Sequence, residues 1–311
     1  MKRENTMLYH IVAFLTIAVW GTTFVWTKLL IQNGLSPVNI FTIRFLMAYV
    51  LLLGFSLIRV RKHKFMWFAN GWKEELKMMG LGITAGSMYF LSENAALQYT
   101  TATNASLIVC SCPLFTMLLF AAVYKSERFN KIQIIGSMLA FAGMAIVVLN
   151  GRFVLHLQPA GDSLAFAACI SWAIYSLLMK PMTGRYPTLF LTRKVFFYGL
   201  VTALPYYIIT PGLPPAEVLM RPQVIANLLF LGCVASMVCY LTWNWCMAKL
   251  GAMVATNWVY FNPIATIVVA WWVLDEQITG YFIVGSALIL AGMYLSDKRG
   301  KNEDKAKLPK A

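Results

Sequence analysis

The sequence predicts an all-α integral membrane protein with ten transmembrane helices, built as two inverted five-helix repeats. Three observations predict it. Of the 311 residues, 59% are hydrophobic and only 12% are charged, whereas a soluble domain carries roughly a quarter charged residues. Apolar runs of about 20 residues, the length that spans a bilayer, recur along the chain. Finally, landmark residues of the first half return in the second at nearly constant spacing. Asn94 and Pro113 recur as Asn244 and Pro263 after 150 residues, and Glu127, Gly136 and Gly143 recur as Glu276, Gly285 and Gly292 after 149.

Ten spans are expected at 8–31, 39–58, 78–98, 102–124, 132–150, 162–181, 194–211, 224–247, 252–274 and 279–296. The opening MKRENTM and its apolar run superficially resemble a signal peptide. The run lacks a small-x-small cleavage site and belongs to the repeat, so it is read as the first span. The segment 65–77 mixes Trp67, Phe68 and Trp72 with Lys and Glu. It is expected to lie on the membrane surface as a short amphipathic helix. Residues 1–155 form the first repeat, 156–297 the second, and 298–311 a polar tail expected to be disordered. Asn104-Ala105-Ser106 has the form of a glycosylation site but abuts the fourth span, so it is discounted.

Charge sets the orientation. The net charge is +14, and 22 of the 26 Lys and Arg fall at the termini or in alternate loops on one side. The opposite loops hold only Arg152 and Arg221, while Lys28 and Arg44 lie inside spans. This asymmetry places the protein in the cell (inner) membrane with both termini cytoplasmic. It also explains the basic balance without nucleic acid. An odd number of spans per repeat inverts the second copy. Inverted repeats put a binding site near the midplane and supply inward-open and outward-open states.

No cofactor and no metal is expected. His10, His63 and His156 are scattered, and the six cysteines lie within apolar runs without a CxxC pair. No GxxxxGK[ST] loop is present, so direct use of ATP is not expected. No HExxH and no paired acids within the spans support catalysis, so no catalytic residue is named and an intramembrane enzyme is disfavoured.

The stretch WGTTFVWTK (Trp20 to Lys28), Pro113, the exit Tyr124-Lys125-Ser126-Glu127, and the paired runs GSMLAFAGM (Gly136 to Met144) and GSALILAGM (Gly285 to Met293) resemble the drug/metabolite transporter superfamily. Within it the chain looks most like the ten-helix EamA-type exporters, and the resemblance covers nearly the whole chain. It implies a 5+5 inverted-repeat fold. It also implies a central cavity lined by helices one, three, four, six, eight and nine, and secondary transport by alternating access. Family substrates include amino acids, other small metabolites and drugs.

Candidate substrate contacts follow. Trp20 lies about 18 Å along the first span at 1.5 Å per residue, and Trp172 reaches similar depth from the other side. Phe24 and Tyr175 accompany them. Tyr89 and Glu93, four apart, share a helix face beside Asn94. An intramembrane carboxylate costs about 2.5–3.5 kcal/mol even on lenient scales, so it needs a partner, a proton or water. Two readings stand for Glu93: an ion pair with Lys28 or Arg44, expected at similar depth, or a proton-coupling or substrate-amine site. Tyr240, Trp243 and Asn244 share a stripe on the eighth span, and Trp258 opens the ninth. Pro113 and Pro263 interrupt symmetric helices as static kinks or as hinges. Gly136, Gly143, Gly285 and Gly292 permit close helix packing, and the same face offers a surface for a homodimer.

Aromatic walls with few polar groups suit a small amphipathic solute. The expected partners are therefore a small-molecule substrate and the lipid bilayer. The expected function is export of amino acids or similar metabolites. The rival is a nucleotide-sugar or sugar-phosphate exchanger, which would prefer several converging cations.

Overall fold

The computed structural model describes residues 6–59, 65–99, 105, 108–124, 130–149, 158–210, 212, 214–274 and 279–297. It is all helical; beside a four-residue helix at Ala216–Leu219 there are ten longer helices among these residues. They are α1 (Thr6–Gln32), α2 (Pro37–Arg59), α3 (72–99), α4 (Cys112–Val123), α5 (Lys131–Leu149), α6 (Pro159–Met179), α7 (Thr188–Ile209), α8 (Pro222–Leu250), α9 (252–274) and α10 (Gly280–Asp297). Five stretches, Thr6–Gln32, Pro37–Ile58, Pro159–Met179, Pro222–Leu250 and Ala252–Val269, are long and apolar enough to cross a membrane, and the apolar helices at 112–123, 131–147 and 280–296 are shorter.

Proline and glycine set the boundaries. Pro37, Pro159 and Pro222 open their helices, where a missing N–H costs nothing. Gly251 separates α8 from α9 at φ 88°, a conformation that a side chain would strain, and its N–H caps the Met247 carbonyl at 3.0 Å.

Several expected boundaries differ; the fourth span, expected at 102–124, is interrupted by a turn at 110–111 before α4 begins at Cys112. Helix α3 begins at Trp72, and residues 65–71 precede it without helix. The expected surface helix at 65–77 is therefore a non-helical strap, 65–71, followed by the first turns of α3 ahead of the expected span 78–98. Helix α7 begins at Thr188, directly after Pro187, rather than at 194, and so carries the buried Arg193 and Lys194 within it. Glu127, Glu276, the Asn104 site and the tail after Asp297 lie outside the described residues.

The packing pattern repeats itself. In the first repeat, α3 packs on α6 and α7 and α4 packs on α6; in the second, α8 packs on α1 and α2 and α9 packs on α1. Each repeat thus inserts its third and fourth helices against the opening helices of the other. Helices α5 and α10 pack extensively on each other. There the glycines are obligatory: a Cβ on Gly143 would sit 2.6 Å from the Gly285 carbonyl oxygen, and a Cβ on Gly285 2.6 Å from that of Gly143. This face, expected to be available for a homodimer, is consumed within the chain.

Helices α3 and α8 each widen into a π-helical segment midway, at Ile83–Ser87 and Phe230–Val238. The two overlap when shifted by the 150-residue repeat spacing. A π segment leaves carbonyls off the regular ladder, and the opposite repeat supplies donors. Ser171 Oγ donates to the Thr84 carbonyl at 2.7 Å, Tyr240 hydroxyl to Ala85 at 2.6 Å, and Trp20 Nε1 to Ala235 at 2.8 Å.

Candidate substrate site

Helix α1 brings one face to the centre of the bundle through Ile17, Trp20, Thr23 and Phe24. Opposite them stand Arg44 from α2, Tyr89, Phe90 and Glu93 from α3, Val109 and Cys112 from the α4 region, Trp172 from α6, Tyr240 from α8, and Val259 and Asn262 from α9. Together they enclose a cleft of about 540 Å³, part of it open to the outside. Both repeats contribute walls.

An aromatic cluster forms its floor. The Trp20 ring lies 5.5 Å from Trp172, 5.4 Å from Tyr240 and 5.3 Å from Trp243, centroid to centroid. Tyr89 adds a contact to Trp172 at 5.0 Å. These separations and tilts are the favourable ones for aromatic pairs.

Two opposite charges face this cleft. Glu93 is 8% exposed and accepts a hydrogen bond from the Tyr89 hydroxyl at 3.1 Å, as their four-residue spacing predicts. Arg44 is 2% exposed. Its Nε donates to Ser236 Oγ at 2.9 Å, and its guanidinium lies 4.6 Å from the Phe90 ring centroid, a cation–π contact. Arg44 thus makes its direct polar contacts with neutral groups rather than with Glu93. Burial strengthens the field of each charge across the cleft. Trp172 Nε1 and Asn262 Oδ1 have no hydrogen-bond partner among the described residues.

Of the residues singled out from sequence, Trp20, Phe24, Arg44, Tyr89, Glu93, Trp172 and Tyr240 meet here. Others do not. Trp243 lies beneath the floor, fully buried. The Tyr175 hydroxyl donates to Asn244 Oδ1, and Asn244 Nδ2 donates to Thr192 Oγ1 at 2.9 Å, so both side chains are occupied in a buried chain below the cleft. Asn94 Nδ2 donates to the Pro37 carbonyl at 3.3 Å. Trp258 sits against the start of α1, its Nε1 3.2 Å from His10 Nδ1. Lys28 is exposed and outside the cleft, so the expected Lys28–Glu93 pair does not form. Pro113 and Pro263 each follow a break in α-helix, a turn at Cys110–Ser111 and a 3-10 segment at Trp258–Phe261. The two breaks are symmetric, as the repeat requires.

Sequence reasoning missed Ile17, Thr23, Phe90, Val109, Cys112 and Val259, which carry little polar signal within an apolar run. It also missed Arg44 as a wall of helix two. Gly82, Gly86 and Gly232, which allow the π segments to pack closely, were the available clue to those segments.

The sequence model of the EamA-like transporter family matches residues 7–149 and again 159–296. The chain belongs to the EamA-like transporter family. This EamA-family protein is similar to an uncharacterized transporter of Archaeoglobus fulgidus, 27% identical over 92% of this chain and 96% of the relative. It is 28% identical to a probable amino-acid metabolite efflux pump of Salmonella typhimurium over 95% of both chains. It is 29% identical to a probable terminal-alkyne amino-acid exporter of Streptantibioticus cattleyicolor over 72% of this chain and 74% of that one. A crystal structure shares the fold with a TM-score of 0.74 at 19% identity, covering 93% of this chain and 97% of the other. The family model thus matches twice, once in each half of the chain.

Proposed function

We propose that this EamA-family protein is a secondary exporter of small zwitterionic metabolites, amino acids or close relatives. Glu93 receives the ammonium group and Arg44 the carboxylate. The observation that carries this reading is the placement of one buried acid and one buried base on the walls of a single aromatic cleft. Guanidinium geometry matches a carboxylate. The surrounding rings suit an apolar side chain and leave little to hydrate a larger polar head. Arg44 is the only Lys or Arg among the described residues that line the cleft, which disfavours a sugar phosphate. The names of the Salmonella and Streptantibioticus relatives support the same class.

Glu93 also serves as the proton-coupling group, since an intramembrane carboxylate with a single neutral partner can trade an ammonium for a proton. The excess of Lys and Arg in alternate loops supports an orientation in the cell membrane with both termini cytoplasmic.

The test is uptake into proteoliposomes of amino acids, their methyl esters, their N-acetyl derivatives and sugar phosphates, with and without a proton gradient. Free amino acids are transported, and both derivatives fail. Arg44→Gln and Glu93→Gln each raise KM at least about 30-fold, the minimum loss when one partner of a buried charged contact is removed. Glu93→Gln also loses the response to the gradient. Equal transport of esters, or inhibition by inorganic phosphate with a need for internal counter-substrate, would reject the zwitterion.

A further inference from the structure

On the side of the charged loops, the two repeats are tied together by a cluster that lines no part of the cleft. Glu75, in the first turn of α3, lies about 27 Å from Glu93 along the helix at 1.5 Å per residue. Its carboxylate accepts hydrogen bonds from Lys194 Nζ, from the Tyr198 hydroxyl and from the Ala69 N–H at 2.6 Å. Lys194 is 4% exposed on α7. Its ammonium lies 4.9 Å from the Phe68 ring centroid, 5.3 Å from Tyr198 and 5.6 Å from Phe190. Beside this pair, Glu74 accepts from the Tyr186 hydroxyl and from Arg185 at 2.9 Å. Arg193 donates to the Met66 carbonyl and lies 4.3 Å from the Phe65 ring centroid.

Lys194 and Tyr198 on Glu75, Tyr186 and Arg185 on Glu74, Arg193 on Met66 and Phe65, and Lys194 on Phe68 all join the first repeat to the second. On one side stand the strap 65–71 and the start of α3; on the other stand the 180–187 turn and the start of α7. Thr192, two residues before Lys194, accepts from Asn244, and Asn244 accepts from Tyr175. The cluster therefore continues directly into the buried layer under the Trp172 floor. The same Lys194 whose desolvation is costly keeps its charge compensated by one carboxylate and several ring faces. Opening α3 from α7 would part Glu75 from Lys194 and Tyr198 together.

We infer that Glu75 and Lys194 form the latch of the gate on the side of the charged loops, and that transport requires this latch to break and remake. The inference rests on the cleft being the substrate site, and its test does not need the substrate.

Thr23, on the cleft wall, is changed to Cys in the full-length protein. Its labelling by a membrane-impermeant maleimide is followed above the parent background from each side of sealed vesicles. With the latch intact, reagent reaches Thr23→Cys only from the side opposite the charged loops. Adding Glu75→Gln or Lys194→Met raises labelling from the charged-loop side at least about tenfold, as a two-state equilibrium biased by one lost interaction requires. Lys194→Arg retains the parental sidedness, because charge and ring contacts remain. Tyr198→Phe, which removes one hydroxyl and leaves the packing, gives a smaller shift in the same direction and covers the case in which the charge variants misfold. Unchanged sidedness in Tyr198→Phe and in any folded charge variant would overturn the latch. Failure of amino-acid uptake with altered labelling would overturn the substrate assignment alone.

Discussion

Trp20 does three jobs with one side chain. Its ring forms part of the cleft floor, its edge contacts three other aromatics, and its Nε1 satisfies the Ala235 carbonyl in the π segment of α8. Trp20→Phe keeps most of the ring area and removes the donor. It is expected to destabilise the protein by about 1–3 kcal/mol, the cost of leaving a buried carbonyl unpaired, measured as a thermal shift in detergent. Trp20→Ala additionally opens the floor and should change substrate affinity; unchanged affinity would remove Trp20 from the site. Arg44 shows how neighbours decide a residue's role. From sequence it was one of two cations at the right depth for Glu93. Only packing shows that Ser236 and Phe90 hold it at the cleft while Lys28 turns outward.

At the scale of elements, the α5–α10 pair and the start of α3 make separate predictions. Gly143→Ala and Gly285→Ala each drive a Cβ into backbone oxygen. Each is expected to cost about 1–3 kcal/mol by overpacking without changing substrate KM, because neither residue lines the cleft. At the start of α3 the acids make stability depend on pH. The Tyr186 hydroxyl and Arg185, with Lys77 nearby, hold the Glu74 carboxyl below the ordinary range. Burial opposes ionisation of Glu75, but the Ala69 N–H, Lys194 and Tyr198 outweigh it and lower its value as well. Depressed folded-state values mean that this stability is fully present above the unfolded glutamate value of about 4.3 and is lost as pH falls through the folded values. The thermal midpoint should hold steady from about pH 7 to 5 and then fall, with a shallower fall in Glu75→Gln. An identical acid limb in that variant would show that the pair contributes nothing.

Across the whole molecule, the repeat was legible because duplication leaves residues at fixed spacing, and the inversion followed from an odd span count. Membrane class, span number and the basic asymmetry were determined by composition and apolar run length alone, since a bilayer selects for both. The aromatic and acidic half of the site was legible for a related reason: Trp20, Trp172, Tyr89 and Glu93 are conspicuous against apolar sequence. Tertiary structure decided the rest. Which of several intramembrane polar residues face one cleft depends on helix rotation, so Arg44 entered it while Asn94, Tyr175 and Asn244 found partners elsewhere. The π segments depend on donors from the opposite repeat, which no local pattern announces. The glycine face packs on α10 within the chain, where backbone meets backbone, and only the docking of the two repeats decides that. The union of Glu75 with Lys194 joins groups more than a hundred residues apart, and such pairing is set by how the two repeats dock, a property of the folded chain and not of any single helix.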